Sequence, residues 1–365
     1  MTGAVGDRRA ARRPVDWRIR FVVLAAIWGA SFLFIKVSVE ALAPVQIAFG
    51  RCLCGAAAVY GVLALRRERL PRDPRMWGHL FVAAVVSNAI PFTLFGYAEQ
   101  RIPSALAGIC NAATPLFTML VAMAALPDER PTARRLAGLG LGFGGVLVVL
   151  GVWRGGLGGG DVTGTLMALA AALCYGLAWT YVRRFVTGTH SPFALTGCQL
   201  ICAAAQLGAA SAVVPLATGT PPLPAHLPVR VVLSVAALGA LGTGAAYVLQ
   251  HGLIRDAGAT VASTVTYVAP VVAVLIGVLV LGEHLTWNEP VGAAVIIAGA
   301  VLIGGTGVHR HHRRRRTPPP GGEPGTPDTP NYGEALSGLY AENRSAGPSP
   351  DHHPSSPRSA RQCFP

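Results

Sequence analysis

Ten apolar stretches, each about the 20 residues a helix needs to cross a bilayer, follow one another along this chain. They run roughly over 19–39, 44–65, 78–98, 103–126, 133–153, 162–184, 191–216, 229–250, 258–281 and 287–307. The connections are too short to hold a soluble domain. Composition agrees: 52% of residues are hydrophobic and 13% charged, about half the charged share of a soluble protein. A water-facing shell cannot be built from so few charges, and disorder over most of the chain is excluded for the same reason. The expected class is an all-α integral membrane protein with ten transmembrane helices.

The net charge of +13 is distributed in short clusters between the apolar stretches. That is a topology signal rather than a nucleic-acid footprint. With the N-terminus inside, the inner segments collect Arg8, Arg9, Arg12, Arg13, Arg18 and Arg20, then Arg66 to Arg75, Arg130, Arg134, Arg135, Arg183, Arg184, Arg255 and Arg310 to Arg316. The outer half receives Lys36, Arg51, Arg101, Arg154 and Arg230. Both termini are therefore expected in the cytoplasm, with an even number of spans, in an inner or plasma membrane. The first stretch continues through Trp28 to Val39 without a small-residue cleavage site, so it reads as a span and not as a cleaved signal.

Six of seven cysteines lie inside apolar stretches without paired spacing, which argues against a disulfide framework. Cys52-x-Cys54 has no His or Asp at ligand spacing, and neither a metal nor a cofactor is expected. Gly138 to Gly145 imitates a dinucleotide loop as a string, but no strand precedes it. Small residues four apart, Gly138/Gly142 and Gly140/Gly144, read as helix packing.

The organisation expected is a basic cytoplasmic N-terminus (1–18), two five-helix units (19–153 and 162–307) and a tail (308–365). The tail begins with the basic tract His309 to Arg316, which suits anionic lipid headgroups. Residues 317–365 are rich in proline and glycine, and such a segment cannot bury enough surface to offset its ordering entropy. Asn343-Arg344-Ser345 matches a glycosylation sequon, on the cytoplasmic side where that chemistry does not occur.

The two units repeat one another. Trp28-Gly29 parallels Tyr175-Gly176, Lys36 parallels Arg183, and Pro44 parallels Pro192. Ala107, Pro115, Leu120 and Leu126 fall on Ala262, Pro270, Leu275 and Leu281, and Gly138 and Gly145 on Gly292 and Gly299. Five crossings per unit is an odd number, so the second unit enters from the opposite side and the repeats are inverted. Two homologous halves of opposite orientation can exchange conformations around one central site, which is what a transporter needs.

The chain resembles the drug/metabolite transporter superfamily, in its ten-helix EamA-type branch. The likeness rests on Trp28 to Phe32 (WGASF) followed by Pro44 and Arg51. It rests equally on the twice-used pattern Thr114-Pro115…Leu126-Pro127-Asp128-Glu129 and Ala269-Pro270…Leu281-Gly282-Glu283. It covers about residues 20–306. It implies secondary transport, with export favoured, of a small metabolite such as an amino acid, or of a drug-like compound. Arg51 departs from internal symmetry, with Gln199 opposite it in the repeat.

Several residues carry a functional and a structural reading side by side. Pro91, Pro115 and Pro270 fall inside spans and kink them, either to shape a gate or simply for packing. Asn88, Asn111 and Tyr267, flanked by Ser87, Thr93, Thr114, Thr264 and Thr266, either line a cavity or bond between helices. Trp28, Tyr175, Trp179 and Tyr247 either stack on an amphipathic substrate or belong to the interfacial belt. Arg51 lies about 10 Å into its span, where it meets a substrate carboxylate or Glu99, or snorkels outward. Glu99, Glu283, His79 and His251 read as interfacial residues near span ends, and the coupling ion stays open. A catalytic cluster is missing at either face, so an enzyme is not expected. A non-transporting sensor that uses the C-terminal tail as effector is the alternative to transport.

Overall fold

The computed structural model describes residues 16–127, 131–151, 161–186, 190–218, 226–257, 262 and 265–304. The acidic turn Asp128-Glu129, Thr264, the tract His309 to Arg316 and the tail lie outside them, as do the first fifteen residues. Among the described residues the regular structure is entirely helical, with no strand. Among the described residues, eight helices are long and apolar enough to cross a membrane. They are α1 (Trp17–Ser38), α2 (Pro44–Arg66), α3 (Pro74–Glu99), α4 (Ser104–Ala125), α5 (Ala133–Leu150), α6 (Val162–Phe185), α7 (Pro192–Thr218) and α8 (Val229–Leu253). Two shorter apolar helices follow, α9 (Val265–Leu281) and α10 (Asn288–Gly304), of 17 residues each.

Local chemistry sets the boundaries. Asp16 accepts the Arg18 N–H at 3.0 Å and Asp73 accepts that of Arg75 at 2.9 Å, so α1 and α3 start on acidic caps. Pro44 and Pro74 occupy first-turn positions, where a missing N–H costs nothing. Asp161 accepts the Gly164 N–H, which, with Arg101 beside it, holds its carboxyl below the usual carboxylate range. The helix α5 closes on Gly151, whose φ of 61° suits a residue without a Cβ.

The three intramembrane prolines are accommodated in three different ways. In α3, a π-turn at Val85–Ala89 widens the helix just before Pro91, which enters the next α-helical segment in its first turn. The register shift absorbs both the missing donor and the ring. At Pro115 the helix does more than kink. The first segment of α4 ends at Asn111, and a new one starts at Thr114 with Pro115 in its first turn. Pro270, its counterpart in the repeat, sits inside an uninterrupted α9. A second π-turn, Ala240–Ala245, occurs in α8 without any proline. In the register that sets Pro115 on Pro270 it coincides with the π-turn of α3.

Helix pairing is just as regular. The closest contact joins α5 and α10 through backbone. A Cβ on Gly145 would meet the Gly292 carbonyl oxygen at 2.9 Å, and one on Gly138 would meet that of Gly299 at the same distance. The order of these pairs makes the two helices antiparallel. In α2 and α7, Val45 lies beside Ser211, Phe49 beside Gly208 and Leu63 beside Gly197, which is again antiparallel. Gly29 of α1 lies against Val272 of α9, and Gly176 of α6 against Phe117 of α4, each too close for a Cβ. Exchanging the two halves turns each of these contacts into its partner. Gly140 and Gly144 meet nothing, so of the expected small-residue pairs only Gly138/Gly142 packs, with Gly142 against Leu116.

The main core draws on Phe32, Phe95, Ile109, Leu116, Val149, Leu169 and Ile296 from six helices. Around it, Leu53, Phe81, Leu147, Leu233 and Leu279 are exposed. An apolar exterior of this kind is what a lipid environment accepts and water does not.

Candidate functional site

The two π-turns each carry a buried polar side chain. Asn88 in the first is wholly buried, and Thr243 in the second is 1% exposed. A π-turn shifts the helix register, leaving a carbonyl five residues back available, and the Thr243 hydroxyl donates to Leu238 O at 3.2 Å across that spacing.

Each of these side chains is met from the other half of the chain. Arg51 of α2 donates from Nε to Thr243 Oγ1 at 3.1 Å. Gln199 of α7 donates from Nε2 to Asn88 Oδ1 at 2.6 Å. Arg51 and Gln199 are equivalent in the repeat, and so are Thr243 and Asn88, so the two bonds are one contact made twice. Arg51 also lays its guanidinium over the Phe92 ring, with Cζ 3.8 Å from the centroid. Tyr175 and Tyr247 lie within electrostatic reach of Arg51, and the Tyr247 hydroxyl neighbours the Asn88 amide. Tyr175 stacks on Phe95 at 6.1 Å, and Phe95 packs edge-on against Phe32 at 5.5 Å.

Of the residues singled out from sequence, Arg51, Asn88, Tyr175 and Tyr247 thus share one neighbourhood beside Pro91. The others sit elsewhere. Trp28 packs with Leu24 and Leu249 between α1 and α8. Asn111 accepts a bond from the Thr114 hydroxyl at 3.3 Å, across the break in α4. Tyr267 donates to Ala300 O on α10 at 3.2 Å. Trp179 is exposed on the outer face. Thr93 donates to Ala89 O at 2.7 Å, a local bond inside its own helix.

The charged residues near span ends differ from expectation. Glu99 is not an interfacial, solvated group. It is wholly buried, and neither carboxyl oxygen has a hydrogen-bond partner among the described residues. It does not bind Arg51. Lys36 does not reach for the surface either. Its amine donates to Glu99 O at 2.7 Å and to Ile102 O at 3.1 Å, satisfying carbonyls at the C-terminal end of α3. Glu283 accepts from Ser104 N, Ser104 Oγ and Ala105 N at 2.8 to 2.9 Å, so it caps α4 across the repeat boundary. His79 on α3 bonds the Tyr181 hydroxyl on α6 at 2.9 Å, and His251 bonds the Tyr247 carbonyl inside its own helix at 2.6 Å. Among the described residues no three of His, Cys, Asp and Glu converge on a metal-sized site.

Sequence reasoning missed Phe92, Thr243 and Gln199 as members of this neighbourhood. Phe92 had no distinguishing signal in an aromatic-rich stretch. Thr243 did, because Gly242-Thr243-Gly244 is a small-polar break in an apolar helix.

The comparisons with known proteins agree with the geometry. Residues 17–151 and 162–305 each match the EamA-like transporter family. The chain is 25% identical over 284 residues to YedA, named as an uncharacterized inner membrane transporter of Escherichia coli (strain K12), covering 77% of this chain and 88% of that protein. It is 26% identical over 294 residues to YcxC, a transporter of Bacillus subtilis (strain 168), covering 78% and 91%. A solved crystal structure superposes with a TM-score of 0.54 at 23% identity, over 82% of this chain and 99% of that one, which speaks for the fold. With an all-helical, multi-pass architecture and two copies of the family's unit in sequence, this chain belongs to the EamA-like transporter family.

Proposed function

We propose that this chain is a secondary transporter of ten membrane helices that works by alternating access, moving a small amphipathic metabolite such as an amino acid, or a drug-like compound, with export as the direction. The observation that carries this reading is the doubled contact at the two π-turns, Arg51 to Thr243 and Gln199 to Asn88. Each half clasps the other by the same element at the same register. Inverted repeats of this kind have two exchanged conformations of similar energy, one open to each side. The antiparallel course of α2 with α7 and of α5 with α10 supports the inversion, because these helices are equivalent in the repeat.

The substrate site in this reading lies between Arg51, Asn88, Tyr175 and Tyr247; Trp28, Asn111 and Tyr267, which pack in other parts of the bundle, are assigned to the pathway leading to it. Pro91, Pro115 and Pro270 supply the bends along which halves re-pack. Weakened backbone bonding beside Pro91 and in the π-turn of α8 concentrates flexibility where the halves touch. Both termini are cytoplasmic, following the distribution of arginines.

Reconstitution into proteoliposomes tests the reading directly. Flux of at least one labelled amino acid or small metabolite is expected from folded protein, and its persistence after deletion of 317–365 separates transport from a tail-driven sensor. Absence of flux across a broad panel, with the protein shown to be folded, overturns it. Labelling of single cysteines at 40 and 188 from the two sides checks the inversion: these positions follow equivalent helices and should react from opposite faces.

A further inference from the structure

We propose that the Arg51 guanidinium is an anion subsite, and that the substrate presents to it a single carboxylate on an amphipathic body. The inference rests on the transport reading above and names the substrate class for the same site.

Three contacts define what Arg51 has spent and what it has left. Its Nε is used by the Thr243 hydroxyl at 3.1 Å. One face of the guanidinium is covered by the Phe92 ring at 3.8 Å. The plane of the group is therefore set by neighbours from two other helices. The two terminal nitrogens find no acceptor among the described residues. A guanidinium held in this way presents a preoriented fork, matched to the two oxygens of a carboxylate.

Charge points the same way. An arginine this deep in a membrane helix is costly without a counter-charge. No carboxylate among the described residues forms an ion pair with it. The buried Glu99 sits with the Lys36 amine, which donates to its backbone carbonyl at 2.7 Å. The rest of the neighbourhood is neutral: Tyr175, Tyr247, and the Asn88 amide, which neighbours the Tyr247 hydroxyl and accepts from Gln199. One uncompensated positive charge among neutral donors suits one negative charge on the ligand. A phosphate, with its second charge, calls for a second cation. Phe92 under the guanidinium and Tyr175, which packs on the same apolar cluster, suit an apolar or aromatic body on the same molecule.

The test uses the purified full chain in detergent and three probes of one shape: phenylacetate, phenylacetamide and phenyl phosphate. Binding is read by calorimetric titration and by the shift in thermal unfolding midpoint. Phenylacetate is expected to bind at least about tenfold more tightly than either of the others, since only it satisfies the fork without excess charge. In Arg51→Gln that preference should vanish, while Arg51→Lys, which keeps the charge and loses the fork, should retain a smaller one. Thr243→Val leaves Arg51 in place but frees its Nε, and should weaken phenylacetate about threefold with the fold intact. Equal binding of the carboxylate and the amide, preference for phenyl phosphate, binding of no probe, or survival of the preference in Arg51→Gln each overturns the subsite. Transport fails separately: flux of neutral solutes without any carboxylate preference sinks the subsite alone, and carboxylate binding without flux of any solute sinks the transport reading alone.

Discussion

The two halves make the same cross-contact with different chemistry, and the difference is instructive. In one, Gln199 gives an amide N–H to the Asn88 amide at 2.6 Å. Both partners are neutral, and the contact asks nothing of a ligand. In the other, Arg51 gives one N–H to a hydroxyl at 3.1 Å and keeps a full positive charge with two nitrogens to spare. The duplicated family unit places a polar contact at the same register in each half. In the proposed transport reading, the loss of chemical symmetry at this one pair of positions is what would let one of the two contacts recognise a ligand.

That comparison is open to attack at several points. The strongest blow falls on the glycines where α5 and α10 touch. Gly145 and Gly299 are equivalent in the repeat and both meet backbone closer than a Cβ tolerates. Gly145→Val and Gly299→Val should each destabilise by about 3 kcal/mol or more, by overpacking against backbone that cannot retreat, and by similar amounts if the halves are true images. Gly144→Val, facing open space, should leave the thermal midpoint in detergent nearly unchanged. Unequal losses at 145 and 299 would break the symmetry of the frame.

Arg51→Gln makes the two cross-contacts chemically alike. Flux is expected to fall at least about tenfold, a loss of roughly 1.4 kcal/mol or more in binding, with little change in unfolding midpoint. A large fall in stability with flux retained would assign Arg51 to the scaffold instead. Asn88→Ala leaves the Gln199 amide without its acceptor, at a cost of about 1–2 kcal/mol read by chemical unfolding in detergent. Its image, Thr243→Ala, should cost less, about 0.6 kcal/mol, as is usual for side-chain bonds between membrane helices. The smallest effect is expected at Thr93→Val, which removes only a local bond to Ala89 O within one helix.

Much of this was legible in the sequence. The apolar stretches each contain a helix, because burial in lipid requires every backbone group to be bonded within its own segment. The duplication is visible in Pro115 and Pro270 or in Gly138 and Gly292, since close packing leaves small residues and prolines few substitutes. Four of the seven residues offered for the pathway meet in one place, Arg51, Asn88, Tyr175 and Tyr247. The residues that went elsewhere share a reason. Tyr267 and Asn111 are polar at membrane depth, and sequence alone does not distinguish a side chain that faces a pathway from one that bonds a neighbouring carbonyl, as Tyr267 does, or a neighbouring hydroxyl, as Asn111 does. Glu99 misled in the opposite sense. Its place at the end of a hydrophobic run suggested water, and the packing of α6, α2 and α1 against the last segment of α3 removed that water.

The chain by its own sequence determined that it lives in a membrane, that it is built twice, and where its helices start and stop, because hydrophobic length, arginine clusters and capping residues act locally. Only the tertiary structure decided which polar groups meet. The π-turns at 85–89 and 240–245 have no compositional signature, and they matter because each aims a buried side chain across to the other half. Whether Arg51 is quenched or left with charge to offer depends on distances between α2, α3 and α8, and no single stretch of sequence contains them.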